Sequence, residues 1–257
     1  MFRRAPSPAP SRGRGPGVGK RALLAAAALL FTFAGCGEPE VRDELAAPRE
    51  ITPPPAAAAA EDDSRAVLVA FGDSLTAGYG IEVDEAWPAR LQERLDREGF
   101  EYRVVNAGVS GETTSGGLRR LPWVLDRNPS AELVVIALGG NDGLRGVPVD
   151  VMMDNLGGMI REAEGRGLTV LLAGVPAPPE LGRDYEDGFA ETFREVAEDT
   201  GVPLLPSLLE GVAGVAELNQ RDGIHPTAEG ALRLAENAFS ALRPLLTEPP
   251  GATGVPQ

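Results

Sequence analysis

The chain has 257 residues, 43% of them hydrophobic, which allows one large domain or two small ones around a sizeable core. Its 38 acidic residues outnumber 24 basic ones, for a formal net charge of -14. It therefore offers no basic footprint for nucleic acid, and an anionic membrane surface repels it. A single cysteine and a single histidine, Cys36 and His225, exclude a disulfide-built fold and the usual His/Cys zinc sites.

Residues 1–21 are basic and rich in Pro and Gly, and residues 22–34 are an apolar run. That run is shorter than the roughly 20 apolar residues a membrane-spanning helix needs, so the segment reads as a targeting signal. Phe33-Ala34-Gly35-Cys36 places small residues just before the cysteine and resembles a bacterial lipoprotein cleavage box, with Phe33 where an aliphatic residue is usual. On this reading residues 1–36 are a signal peptide with its lipoprotein-like box, cleavage falls before Cys36, and Cys36 becomes the lipidated first residue of the mature chain. A plain secretory signal with an incidental cysteine is the alternative. Lys20, the only lysine, falls in the segment to be removed. What remains carries 18 basic residues against 38 acidic ones.

Residues 37–65 hold Pro53 to Pro55, Ala56 to Ala60 and the acidic run Glu61, Asp62, Asp63. No apolar period runs through them, and the composition is that of a disordered tether. The tail over 247–257, with Pro249, Pro250 and Pro256, reads in the same way. One domain is expected over 66–246, a normal size.

Within that domain apolar runs alternate with helical spacing. Strands are expected at 66–71, 102–105, 133–138, 168–175 and 202–205. Helices are expected at 84–98, where Trp87, Leu91 and Leu95 share a face, and at 113–126, 149–166, 185–200 and 227–242. Continuous apolar strands between helices imply a parallel sheet covered on both faces. Right-handed crossovers then give a doubly wound, five-stranded α/β/α sandwich of flavodoxin-like type.

In such a sheet, ligands bind beyond the carboxyl ends of the strands. Gly72-Asp73-Ser74-Leu75 follows the first strand. A serine there suits a developing alkoxide at a helix start, though a helix cap is the commoner use. Asn106-Ala107-Gly108-Val109-Ser110-Gly111 follows the second, where glycines let backbone N–H groups approach a ligand. Gly139-Gly140-Asn141-Asp142 follows the third, and an Asn amide can donate to an oxyanion or merely close a turn. Asp222-Gly223-Ile224-His225-Pro226 sets an acid and an imidazole on one loop. The acid can fix the tautomer and leave the other ring nitrogen as a base, or the two can form a loop ion pair.

Taken singly these segments are weak. In this order and at successive strand ends they resemble the SGNH, or GDSL, hydrolase family, whose blocks centre on Ser, Gly, Asn and His. The matches run from residue 66 to 226. The strings Leu138 to Gly146, Val202 to Pro206 and Asp222 to Pro226 are similar to the branch of bacterial acyl-CoA thioesterase I, lysophospholipase and arylesterase enzymes. The resemblance implies the SGNH hydrolase fold, Ser74 as nucleophile, His225 as its base and Asp222 as the group that orients His225. It implies an oxyanion hole from the Ser74 N–H, the Gly108 N–H and the Asn141 amide. The reaction would be acyl transfer through an acyl-enzyme, with no metal and no cofactor. Substrates would be small acyl esters, thioesters or lysophospholipids, and a membrane would be met only through the lipid anchor. The chain lacks the G-x-S-x-G elbow of ordinary α/β-hydrolases.

Two other readings remain. The same fold could remove acetyl groups from carbohydrate or cell-wall polymer, although no aromatic platform or carbohydrate module is evident. A non-catalytic surface lipoprotein could keep the fold as a binding module, although neither the serine nor the histidine is missing. Asp73 is expected to bond backbone in its turn and Asp142 to cap the following helix. Trp87 and Trp123 are expected to pack, and Arg145 either borders the site or is a solvated loop residue.

Overall fold

The computed structural model describes residues 64–176 and 183–248. The signal segment with Cys36, and nearly all of the expected tether and tail, lie outside these residues.

Strand β1 (Ala66–Gly72) is buried at every position but the first. A strand covered on both faces has no polar side to show, which is why its sequence is continuous rather than alternating. It pairs in parallel with β2 (Tyr102–Gly108) on one side and β3 (Ala131–Ala137) on the other. Strands β4 (Thr169–Ala173) and β5 (Leu204–Leu205) complete a parallel sheet of order β2-β1-β3-β4-β5. This is the flavodoxin-like doubly wound order, and it bears out the expected class.

Seven helices accompany the strands among the described residues: α1 (Ser74–Ala77), α2 (Trp87–Glu98), α3 (Thr114–Asp126), α4 (Gly140–Leu144), α5 (Val149–Gly165), α6 (Arg183–Thr200) and α7 (Ala228–Leu242). Two cores follow from strand alternation. Val67, Val69, Phe71, Val134 and Ile136 face Leu121 of α3, Leu156 and Ile160 of α5 and Phe193 of α6. Leu68, Ala70, Leu133 and Val135 face Trp87, Leu91 and Leu95 of α2 and Leu234 and Leu242 of α7. Each large side chain so buried contributes roughly 1.5–3 kcal/mol relative to exposure.

The structure departs from expectation in ways that have physical reasons. The second strand runs three residues further, to Gly108, because Asn106, Ala107 and Gly108 pair with Ala70, Phe71 and Gly72. The fifth strand is only two residues long, flanked by Pro203 and Pro206, which have no N–H to give a ladder. Helix α2 starts at Trp87 rather than 84; Val83–Glu85 form a separate 3-10 turn, and Pro88 sits in the first turn of the helix. Trp87 is buried, but Trp123 stands more than half exposed with the Arg127 guanidinium 4.5 Å from its ring centre.

The register brings three strand ends level. Gly72 lies opposite Gly108 on one side and Ala137 on the other. The segments following β1, β2 and β3 therefore leave the sheet at one edge.

Candidate active site

Ser74 is the first residue of α1, two positions beyond Gly72. Asp73 caps that helix: its Oδ1 accepts the Leu75 N–H at 3.0 Å. As the first helical residue, Ser74 has an N–H with no acceptor inside the helix.

The histidine arrives from the far end of the chain, on the loop between β5 and α7. That loop closes as a small hairpin, with an antiparallel bridge between Asn219 and Pro226 and the Gln220 N–H donating to His225 O at 2.7 Å. Its turn is built on the Asp222 carboxylate. Oδ1 accepts the N–H groups of Ile224 and His225, both at 3.0 Å, and Oδ2 lies 2.7 Å from His225 Nδ1. Gly223 takes φ 72° in this turn, a conformation that disfavours any side chain. Gln220 ties the loop across the site: its Nε2 donates to Tyr79 O at 2.7 Å and to Pro226 O at 2.9 Å.

His225 Nε2 then stands 2.9 Å from Ser74 Oγ. Burial would raise the Asp222 carboxyl, but the His225 ring and the two backbone N–H bonds outweigh it and hold the group at about 2. Asp222 is thus an anion at neutral pH and can only accept. Nδ1 must carry the ring proton, which leaves the Nε2 lone pair facing the serine hydroxyl. The Tyr79 ring lies against the imidazole, with ring centres 4.6 Å apart.

Gly108 and Asn141 reach the same edge. Gly108 closes β2 against α1 so tightly that a Cβ there would fall 2.2 Å from Ala77 N and 2.7 Å from Thr76 C. Only glycine lets the strand end approach this closely. The Gly108 N–H already donates to Asn106 Oδ1 at 3.0 Å, so a substrate oxygen would have to share or replace that acceptor. Asn141 is the second residue of α4, and its Nδ2 donates to Asp73 Oδ2 at 3.2 Å. The amide keeps a second N–H. Burial lifts the Asp73 carboxyl to about 6, against the bonds from Leu75 and Asn141 and the nearby His225, which lower it.

Asp142, expected to cap its own following helix, instead reaches back to α3. It is fully buried and accepts from Thr114 N at 2.8 Å and Thr114 Oγ1 at 2.7 Å. Thr114 Oγ1 in turn accepts from Asn155 at 3.0 Å, so the turn bearing Asn141 is pinned to α3 and α5. Arg145 is exposed and donates to Gly111 O at 3.0 Å, the solvated loop reading rather than the site border. Sequence reasoning missed the Gln220–Tyr79 bond, which depends on how separate loops meet, and the local Asn106–Gly108 bond, which lies beyond the expected strand end at 105.

Ser74, His225, Asp222 and Asn141 all border one cavity of about 830 Å³, whose remaining wall includes Leu75, Leu144, Val175, Leu209, Ala213 and Ile224. Among the described residues no group of three or more His, Cys, Asp or Glu side chains could hold a metal ion.

Residues 70–233 match the model of the GDSL-like Lipase/Acylhydrolase family. The chain belongs to this family. It is similar to Esterase TesA of Pseudomonas aeruginosa, 46% identical over 179 residues that cover 70% of this chain and 89% of that one. It is 35% identical to Thioesterase 1/protease 1/lysophospholipase L1 of Escherichia coli, over 70% of this chain and 84% of that one. Among solved structures, the psychrotrophic esterase EstA from Pseudoalteromonas sp., inhibited by monoethylphosphonate, superposes with a TM-score of 0.67. It is 32% identical, with 70% of this chain and 97% of that one covered. The family member described here is an ester hydrolase with the SGNH α/β fold.

Proposed function

We propose that the protein cleaves acyl esters and thioesters, lysophospholipids among them, through an acyl-enzyme on Ser74, and that it is exported and lipid-anchored through Cys36. The observation that carries the catalytic part is the unbroken line of bonds from Asp222 Oδ2 through the imidazole to Ser74 Oγ, at 2.7 and 2.9 Å.

In this reading the Ser74 hydroxyl attacks the acyl carbon as His225 Nε2 takes its proton. Asp222 holds the tautomer that makes Nε2 the acceptor and offsets the charge of the imidazolium. The carbonyl oxygen, now an oxyanion, is met by the Ser74 N–H, the Gly108 N–H and the free Asn141 N–H. His225 returns the proton to the leaving oxygen or sulfur. Water, activated by the same nitrogen, then releases the acid and restores Ser74.

The apolar wall of the cavity suits an acyl chain better than a sugar, which favours this reading over carbohydrate deacetylation. The relatives' names support both oxygen and sulfur esters. The test is hydrolysis of p-nitrophenyl esters and acyl-CoA thioesters of rising chain length by wild type and Ser74→Ala. Turnover on both classes should vanish together in the variant. Turnover retained on either class would assign that class to another site.

The anchor rests on the sequence around Cys36. Wild type should partition into detergent after export, and Cys36→Ser should release a soluble, active enzyme. A freely soluble wild type, or a mature N-terminus elsewhere, removes the anchor.

A further inference from the structure

We infer that Asp73 is a positioning residue for Asn141: its buried carboxylate fixes which end of the Asn141 amide faces the oxyanion. This rests on the proposed acyl-enzyme chemistry, in which Asn141 donates to that oxygen.

Asp73 is 2% exposed, and both its oxygens are engaged at the sheet edge. Oδ1 accepts the Leu75 N–H and Oδ2 the Asn141 Nδ2, at 3.0 and 3.2 Å. The first bond is an ordinary helix cap, which a serine or asparagine could make as well. The second needs more. A carboxylate has no proton to give, so it can only be paired with the nitrogen of the Asn141 amide. The second N–H of that nitrogen is then left for the cavity that Asn141 borders. With the amide reversed, its oxygen would face a carboxylate oxygen, and a lone pair would point where the oxyanion forms. Asp73 excludes that arrangement.

The fold retains this acid at a cost. Burial disfavours the charged form, which is why the group sits at about 6 rather than 3.8. A neutral cap would avoid that cost and still satisfy Leu75. Orientation of Asn141 is what the charged cap adds.

The test is Asp73→Asn, alone and combined with Asn141→Ala. The asparagine keeps the Leu75 bond but also offers an N–H, so the Asn141 amide is free to reverse. We expect kcat to fall about ten- to a hundredfold with KM within about twofold, a loss confined to the transition state. In the Asn141→Ala background the same change should cost less than about threefold, because the residue it positions is gone. Should Asp73→Asn fail to fold, Asp73→Ser caps Leu75 without reaching Asn141, and the same loss is expected. Unchanged kcat, or an equal loss with and without Asn141, overturns the inference while leaving the acyl-enzyme reading intact. Unchanged kcat in Asn141→Ala alone overturns the oxyanion role of Asn141 and this inference with it.

Discussion

His225 Nε2 lies 2.9 Å from Ser74 Oγ, although 151 positions separate the two residues. Neither side chain sits on a long helix or strand. The serine is held by a four-residue helix at the end of β1, the histidine by a hairpin wound around one carboxylate. The bond between Gln220 Nε2 and Tyr79 O spans the two loops and fixes their spacing.

Asp222 both shapes that hairpin and holds the ring. Asp222→Asn can keep the two backbone bonds through its amide oxygen, so the fold should persist. Its NH2 group would face Nδ1, however, and favour the tautomer that puts a proton on Nε2. We expect kcat to fall by about four orders of magnitude with an unchanged circular dichroism spectrum. A loss below tenfold would remove Asp222 from the mechanism.

Asn141→Ala should lower kcat by about 10²–10³ with little change in KM, the usual effect of deleting one oxyanion donor. Steady-state kinetics on a p-nitrophenyl ester measures it. The same loss expressed only in KM would make Asn141 a residue that binds the ground state.

Gly108 tests the close approach of β2 to α1. The methyl of Gly108→Ala would meet backbone atoms of Thr76 and Ala77, which cannot swing aside as a side chain could. Roughly 1–3 kcal/mol of stability should be lost, read as a shift in the urea midpoint. Because Ser74 rides on the same short helix, kcat should fall as well. An alanine variant as stable and active as wild type would mean that the contact is looser than the structure has it.

Stability should change with pH through Asp73. Its folded carboxyl titrates at about 6, the ordinary group at 3.8, so between these values the folded chain holds a proton the unfolded chain has released. The contribution is full below about pH 4 and is lost as pH rises through about 6, on the order of 3 kcal/mol. Asp222 acts in the opposite sense. Held at about 2, it contributes above pH 4 and its contribution fades as pH falls toward 2. Urea unfolding of Asp73→Asn beside wild type isolates the first effect: the variant should gain relative stability between pH 4 and 7. A constant difference across that range would contradict the burial of an ionisable Asp73.

Much of this was legible in the residues. The apolar runs of β1 and β3 read as strands covered on both faces, and their alternation with helices gave a parallel, doubly wound sheet. The helices α1 and α4 were not legible, because four or five residues cannot display a hydrophobic period. Nor was the partner of Asp142, since the spacing from 142 back to Thr114 says nothing about their approach. For the site, each motif read alone left a cap, a turn or an ion pair as an equal account. Their common order, and the resemblance it carried, brought Ser74, Gly108, Asn141, Asp222 and His225 together. Asp73 stood inside the same motifs, yet its bond to Asn141 becomes visible only where the ends of β1 and β3 meet.

With one histidine in the chain, modification of a single imidazole reports on one residue. Treatment with diethyl pyrocarbonate should abolish turnover at one modified histidine per chain, and a phosphonate bound at the serine should protect against it. Turnover that survives stoichiometric modification would require a base other than His225.

The central claim, that Ser74 is the nucleophile of an acyl-enzyme, is tested most directly by reaction with a p-nitrophenyl phosphonate followed by mass mapping of the peptides. One phosphonyl group per chain should be found on Ser74, with p-nitrophenol released in equal amount and turnover lost in proportion. The Ser74→Ala protein should take up none. A stoichiometric adduct on any other residue, or full turnover by a chain carrying phosphonate on Ser74, would contradict the account.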